Sequence, residues 1–113
     1  MNQKFSSNFR LRSLQDFAGM KEGRRFQWHG LRCIVVNSHL EHGRIGFAVS
    51  RKYGNSAQRH HLKRVFREVY RSHHIKFESL DILMIPSRSF DSKANIYQDV
   101  TDILNRLLRR YQA

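Results

Sequence analysis

The sequence predicts a small α/β (α+β) sandwich, one domain of order α-β-β-α-β-α in which helices pack on a central sheet. Three observations support this fold class. The chain has 113 residues, of which 40% are hydrophobic and 12% aromatic, and this suits a single core. Segments 24–37, 44–50 and 80–85 are typical of strands, whereas 13–23, 56–72 and 94–111 are typical of helices. We therefore treat residues 1–113 as one domain.

The N-terminal region predicts an arm followed by a short helix. Residues 1–12 are polar and basic, and we expect them to be extended and to dock on the sheet. The pattern from Ser13 to Asp16 resembles a capping box, which places a helix start at Ser13 and an end near Gly23. The apolar positions of this helix are Leu14, Phe17, Ala18 and Met20.

Three segments predict strands. Residues 24–37 are rich in β-forming side chains, and Gly30 leaves open whether they form one strand or two. Residues 44–50 alternate apolar side chains with the small residues Gly46, Ala48 and Ser50, which leave room for a helix or a nucleic-acid strand across the sheet. Residues 80–85 form an apolar run before Pro86 and predict a buried central strand.

Two longer helices follow from apolar periodicity. The central helix covers 56–72, with Asn55 as N-cap and Gln58 at its third position. Its apolar face repeats at three and four residues and comprises Leu62, Val65, Phe66, Val69 and Tyr70. The last helix covers about 94–111, with apolar positions Tyr97, Val100, Leu104, Leu107, Leu108 and Tyr111.

The charge predicts a polyanionic partner. The net charge is +12 and the pI is about 10.9, which favours nucleic acid first and an anionic membrane surface second. The central helix carries a row opposite its apolar face, where like charges repel and only Glu68 is near in sequence to compensate. A phosphodiester backbone would relieve this repulsion. The row comprises Arg59, His60, Lys63, Arg64, Arg67 and Arg71.

Several other classes of protein are disfavoured. No apolar run approaches a membrane span and the N-terminus has no signal pattern, so we expect a cytoplasmic protein without a membrane partner. The single cysteine, Cys33, lies in an apolar run and is predicted to be a core residue. Adjacent histidines on a helix diverge by about 100°, so His60-His61 do not predict a metal site.

The central stretch resembles a known family, the bacterial ribonuclease P protein subunit. The resemblance is carried by Arg44 to Lys52 (RIGFAVSRK), Gly54-Asn55, Arg59, Leu62-Lys63-Arg64 and Arg67-Glu68. Residues outside this motif also fit, namely Arg10-Leu11-Arg12, Asp16-Phe17 and Asp81-Ile82. The chain departs from the family pattern at His60 and His61, where the family has Asn and Arg after the first Arg.

The resemblance implies a function and an unusual fold detail. In this family a catalytic RNA removes the 5′ leader of precursor tRNA, and the protein is a cofactor with no catalytic residue of its own. Ribonuclease P RNA and precursor tRNA are then the partners, magnesium is held mainly by the RNA, and no obligate protein partner is evident. The family fold contains a left-handed βαβ crossover, which we therefore expect here.

The resemblance also implies two sets of site residues. Those expected to bind the catalytic RNA are Arg51, Lys52, Asn55, Arg59, His60, His61, Lys63, Arg64, Arg67 and Arg71. Those expected to bind the leader, in a cleft between the sheet and the first helix, are Phe17, Arg12, Ala48 and Ser50.

Two alternatives of other classes remain at this stage. The first is a general structured-RNA-binding protein, of chaperone or ribosomal type, with no role in cleavage. The second is a protein-only nuclease that uses His61 or His74 as a general acid or base, although no second catalytic group stands at a suggestive spacing.

Overall fold

The architecture is a four-stranded sheet with two long helices. A computed structural model describes residues 10–11, 19–28, 30–87, 90 and 96–112. The strands are β1 (Arg24–Trp28), β2 (Leu31–Asn37), β3 (Arg44–Phe47) and β4 (Leu80–Pro86). The helices are α1 (Ser56–Ser72) and α2 (Ile96–Gln112), and short 3-10 helices cover Gly19–Glu22, Arg51–Tyr53 and His74–Phe77.

The strands lie in the order β1-β2-β4-β3. The predicted first β segment is divided at Gly30, whose φ of 81° lies in the left-handed region that favours glycine. β1 and β2 therefore form an antiparallel hairpin, and β2 pairs antiparallel with β4. β3 pairs with β4 in parallel, so β3, α1 and β4 form a βαβ unit.

The main core lies between one face of the sheet and both long helices. The predicted apolar face of α1 is confirmed, with four of its side chains buried and Val69 half-buried. Cys33 is also confirmed as a core residue, and burial raises the pKa of its thiol to about 12. The largest fully buried side chains on α1 and β4 are Tyr70, Phe66, Leu62, Ile82 and Met84.

A smaller apolar cluster covers the opposite face of the sheet. It comprises Leu11 and Met20 packed on Ile34 and Leu83. The Leu11 N–H donates to the Ile45 carbonyl at 3.0 Å, and Arg10 forms a parallel bridge with Ile45. The prediction that the arm docks on the sheet is thus confirmed for the two described residues of the arm.

The end of the first predicted helix is seen, but its start lies outside the described residues. Residues 12–18, which include Ser13, Asp16 and Phe17, are not described. The described remainder, Gly19–Glu22, is a 3-10 helix in which only Met20 is buried. The Gly23 N–H donates to the Met20 carbonyl at 3.0 Å, as expected for a helix that ends near Gly23.

The predicted third strand is too long at its C-terminal end. β3 ends at Phe47, although the Ala48 N–H still donates to the Met84 carbonyl at 2.9 Å. The chain then leaves the sheet because the Ser50 hydroxyl accepts from the Lys52 N–H at 3.0 Å and starts the 3-10 turn Arg51–Tyr53. Ala48 and Ser50 are therefore exposed residues of a connection, not part of a small-residue face on a strand.

Two further expectations need correction. Tyr97 is not a core position of the last helix: it is 44% exposed, and the buried positions include Ile96 and Ile103. The connection after α1 contains a 3-10 helix that periodicity does not reveal, because the His73 side chain caps it by accepting from the Ile75 N–H. Within the described residues, no helix is both long and apolar enough to span a bilayer.

Candidate RNA-binding site

The site is built around the start of α1, which a complete capping box fixes. The Asn55 side-chain oxygen accepts from the Gln58 N–H at 2.8 Å, and the Gln58 side chain accepts from the Asn55 N–H at 2.8 Å. A Cβ at Gly54 would overlap Oε1 of Gln58, so a larger residue there would require the Gln58 side chain to move from its place in the capping box. Both capping residues predicted from the sequence are confirmed.

The capping box leaves only some backbone N–H groups at the start of α1 available to bind an anion. The N–H groups of Asn55 and Gln58 are already satisfied within the box, and through these bonds Asn55 shapes the turn. The first two helical residues, Ser56 and Ala57, are exposed, and their N–H groups have no partner in a regular helix. This end of α1 also carries the positive end of the helix dipole, which favours a phosphate.

The basic side chains of α1 lie on two flanks and not in the single solvent-facing row expected from the sequence. Lys63 and Arg67 are half-buried along the flank beside β3, and Arg59 is half-buried at the start of the helix. Arg71 lines a cavity on the other flank, beside α2. The division arises because positions four apart on an α-helix advance by about 40° around the axis, so a row drifts across the surface.

Three cations meet in a groove between the arm, β3 and α1, which we call the β3–α1 groove. It has a volume of about 300 Å³, and its charged lining residues are Arg10, Lys63 and Arg67. The floor is formed by Ile45, Gly46 and Phe47 of β3, with Leu11 of the arm. Three positive charges in one groove repel one another and attract a negative charge. An anion bound there would therefore be stabilised by all three basic side chains.

The Arg67 side chain is positioned to bind such an anion. Its guanidinium lies 5.2 Å from the ring centre of Phe47, which is itself stacked on Phe66 at 5.3 Å. Its Nε is buried and has no hydrogen-bond partner among the described residues. Burial lowers the pKa of Arg67, and the neighbouring charge of Arg10 lowers it further. A phosphate would supply both the missing acceptor and the missing negative charge.

On the opposite flank, charge is already neutralised. Arg64 Nε donates to Glu68 at 2.9 Å, and the Tyr97 hydroxyl donates to the other Glu68 oxygen at 2.6 Å. The hydrogen bond from Tyr97, and next the one from Arg64, lowers the pKa of Glu68. Glu68 thus compensates one member of the row, Arg64, as its place in the sequence suggests.

The remaining predicted contacts with RNA lie around the start of α1. Arg51, Lys52, His60 and His61 are exposed. Arg59 differs from these, because its guanidinium donates to the Gly54 carbonyl at 2.7 Å and so braces the turn. The structure therefore brings most of the predicted residues to the start and one flank of α1, but it places Arg64 and Arg71 on the other flank. Asn55 and Arg59 also make structural hydrogen bonds.

Of the predicted leader-binding residues, the structure describes two. Ala48 and Ser50 are exposed directly after β3, beside the start of α1. Arg12 and Phe17 lie outside the described residues. Sequence reasoning missed Arg10, which the structure places in the β3–α1 groove; the only signal was its place in the Arg10-Leu11-Arg12 motif.

Two residues outside α1 that carry the family resemblance have a structural role. Arg44 and Asp81 are partners across the parallel pair β3 and β4. Arg44 donates from Nε at 2.9 Å and from a terminal nitrogen at 2.7 Å to the two oxygens of the Asp81 carboxylate. This forked pair is mostly removed from water and fixes the register of the βαβ unit.

Comparison with known proteins identifies the family. The family model described as Ribonuclease P matches residues 5–112. The chain belongs to this family. A ribonuclease P protein component of Alkaliphilus metalliredigens is 34% identical over 105 residues, covering 92% of this chain and 94% of that protein. One from Thermotoga maritima is 29% identical and covers 99% of both chains.

Solved structures agree with this assignment. The ribonuclease P protein from Thermotoga maritima superposes with a TM-score of 0.75 at 30% identity, covering 89% of this chain and 96% of that one. The Staphylococcus aureus protein gives a TM-score of 0.78 at 24% identity, covering 88% and 94%, and supports the fold alone. A role in tRNA 5′ processing, as the protein component of a ribonucleoprotein with ribonuclease P RNA, follows from the ribonuclease P family.

Proposed function

We propose that this chain is the noncatalytic protein subunit of a bacterial ribonuclease P that acts in the cytoplasm. It binds the catalytic RNA and the 5′ leader of precursor tRNA, and so promotes removal of the leader. The single observation that carries this proposal is the β3–α1 groove, where Arg10, Lys63 and Arg67 converge and where Arg67 Nε is buried with no hydrogen-bond partner in the described part of the chain. A phosphodiester backbone supplies anions that fit this arrangement.

The catalytic RNA contacts the surface that runs from the groove to the start of α1. Lys63 and Arg67 bind phosphates in the groove, and Arg51 and Lys52 bind phosphates beside it. His60 and His61 are exposed, and each can donate a hydrogen bond or stack on a base. They thus occupy the places of the family's Asn and Arg with side chains of a compatible chemistry.

We assign the catalytic chemistry to the RNA, and we expect the RNA to hold most of the magnesium ions. Among the described residues no group of three His, Cys, Asp or Glu side chains lies close enough to hold a metal ion. The donor set of the described chain thus does not fit a magnesium site, whereas RNA phosphate oxygens are ligands that this ion prefers. We therefore derive no catalytic step from protein side chains.

Reconstitution tests the proposed function. A bacterial ribonuclease P RNA is incubated with precursor tRNA at low magnesium, with the chain, without it, and with the chain alone. We expect cleavage at the 5′ end to be stimulated only when both RNA and protein are present, because a cationic cofactor relieves poorly screened phosphate repulsion. Tight RNA binding without stimulation would favour a general RNA-binding protein, and cleavage by the chain alone would favour a protein nuclease.

The leader contact has a separate test that uses the buried cysteine. Cys33 is the only cysteine and is fully buried, so Ala48→Cys can be labelled selectively with a photo-crosslinker. We expect this probe to crosslink to the leader in the complex, whereas the same probe at exposed Ser72→Cys does not. Equal crosslinking from both positions would place the leader elsewhere.

A further inference from the structure

A second groove lies at the other edge of the sheet, between β1 and the last turns of α2. We call it the β1–α2 groove; its volume is about 380 Å³. Phe26 and Trp28 of β1 form one wall, and Arg106, Arg109 and Arg110 of α2 form the other. None of these residues belongs to the β3–α1 groove or to the family motif described above.

The groove combines aromatic rings with guanidinium groups. The Arg106 guanidinium lies 3.4 Å from the ring centre of Trp28, and the Arg110 guanidinium lies 5.6 Å from that of Phe26. A ring behind a guanidinium restricts its orientation and leaves the N–H groups at its edge available. The outer face of such a guanidinium is a surface on which an unpaired RNA base stacks.

Acidic side chains are scarce around this groove. Asp102 lies one helical turn before Arg106, and its carboxylate accepts from Gln98 Nε2 at 2.8 Å. Residues 103–113 contain no Asp or Glu, and neither does β1. No ion pair is formed by Arg106, Arg109 or Arg110 with any residue in the described part of the chain. A helix C-terminus favours cations, which accounts for Arg109 and Arg110, but it does not require Arg106 to cover Trp28 on a neighbouring strand.

We propose that the β1–α2 groove is a second RNA-binding site, which takes a single-stranded RNA segment. Arg109 and Arg110 bind consecutive phosphates, and an unpaired base stacks on the guanidinium of Arg106. Because the strand order is β1-β2-β4-β3, the two grooves lie at opposite edges of the sheet, about 14 Å apart across three strand spacings. The chain can then contact two RNA segments at once.

Trp28 gives a direct reporter, because it is the only tryptophan of the chain. A single-stranded oligouridylate is titrated into the full chain, and Trp28 fluorescence is followed alongside anisotropy of the labelled RNA. We expect saturable quenching that survives Lys63→Gln with Arg67→Gln. We expect Arg109→Gln with Arg110→Gln to reduce the slope of log K against log salt by about 1.4, as two single-strand phosphate contacts contribute about 0.7 each.

The matched control is Lys21→Gln with Lys76→Gln, which removes the same charge from positions outside both grooves. The proposal is overturned if this control and the Arg109–Arg110 variant bind alike, or if RNA binds while Trp28 fluorescence stays constant. It is also overturned if polyglutamate competes as well as RNA, since the site is then a general anion surface. Because cleavage is not the readout, failure here is distinct from failure of the proposed function.

Discussion

At the scale of single residues, two side chains that carry the family resemblance, Arg44 and Asp81, form an ion pair that stabilises the fold. Arg44 and Asp81 are 37 residues apart in sequence, and their forked ion pair joins the two parallel strands around α1. Their place in a basic motif would suggest that Arg44 contacts nucleic acid. A sequence pattern does not tell whether a motif arginine binds RNA or forms an internal ion pair, because the carboxylate partner of Arg44 is distant in the chain.

We predict that Asp81→Asn destabilises the protein by about 3 kcal/mol, since removal of one partner leaves the other charge poorly solvated. Only 6% of the Asp81 side chain is exposed, against 21% for Arg44. Urea unfolding measures the change. Glu68→Gln is the matched control, because it breaks the exposed pair with Arg64, and it should leave the unfolding midpoint nearly unchanged. Similar losses in both variants would contradict this account.

The buried thiol of Cys33 predicts a pH dependence of stability. Its pKa is about 12 in the folded chain and 9.0 in the reference state. The stabilisation from the neutral buried thiol is therefore present below pH about 9 and is lost as the pH rises from about 9 to 12. The free energy of unfolding, relative to that of Cys33→Ala, should fall by about 1.4 kcal/mol per pH unit in this range.

The same burial predicts chemical protection. At pH 8 the native chain should not react with a thiol reagent, and reaction should become complete in denaturant. Rapid stoichiometric reaction of the native chain would show that Cys33 is accessible. A constant difference in stability from Cys33→Ala between pH 8 and pH 11 would contradict the pH prediction.

At the scale of elements, the start of α1 is the part that sequence predicts best. Its bounds and its capping box follow from local patterns, because both bonds of the box join residues three apart. The end of β3 and the 3-10 helix His74–Phe77 were not predictable in this way. Both features depend on a side chain in a connection that accepts a hydrogen bond from a nearby backbone N–H. Ser50 does so after β3 and His73 does so after α1, and each bond forms in only one backbone geometry.

We predict that Asn55→Ala destabilises the chain by about 1 kcal/mol, because the Gln58 N–H loses its acceptor. Thermal unfolding measures the loss. The control is Ser56→Ala at the next position, which is also exposed, and it should change stability little. RNA affinity should fall more for Asn55→Ala than for the control, since the box fixes the start of α1, next to the turn that carries Arg51 and Lys52. Equal RNA affinities would show that the turn geometry does not matter for binding.

At the scale of the whole molecule, α1 and α2 cover one sheet face and leave a basic groove at each edge. The sequence predicts the fold class, the helices and the basic character of α1, since these depend on periodicity and charge. It does not predict that Arg10 joins Lys63 and Arg67, because that contact depends on where the arm docks. It also does not reveal the pairing of Arg106 with Trp28, which are far apart in sequence.

The central claim is that the β3–α1 groove binds ribonuclease P RNA and thereby supports cleavage. The most direct measurement is the rate of precursor tRNA cleavage at low magnesium as a function of protein concentration. We compare the unmodified chain, Lys63→Gln with Arg67→Gln, and the charge-matched Lys21→Gln with Lys76→Gln. The account predicts that the groove variant needs a much higher protein concentration for half-maximal stimulation of cleavage. When the logarithm of the apparent RNA affinity is plotted against the logarithm of the salt concentration, the slope for this variant should be smaller by about 2, whereas the control should behave as the unmodified chain. If the groove variant and the control stimulate cleavage equally, the claim is wrong.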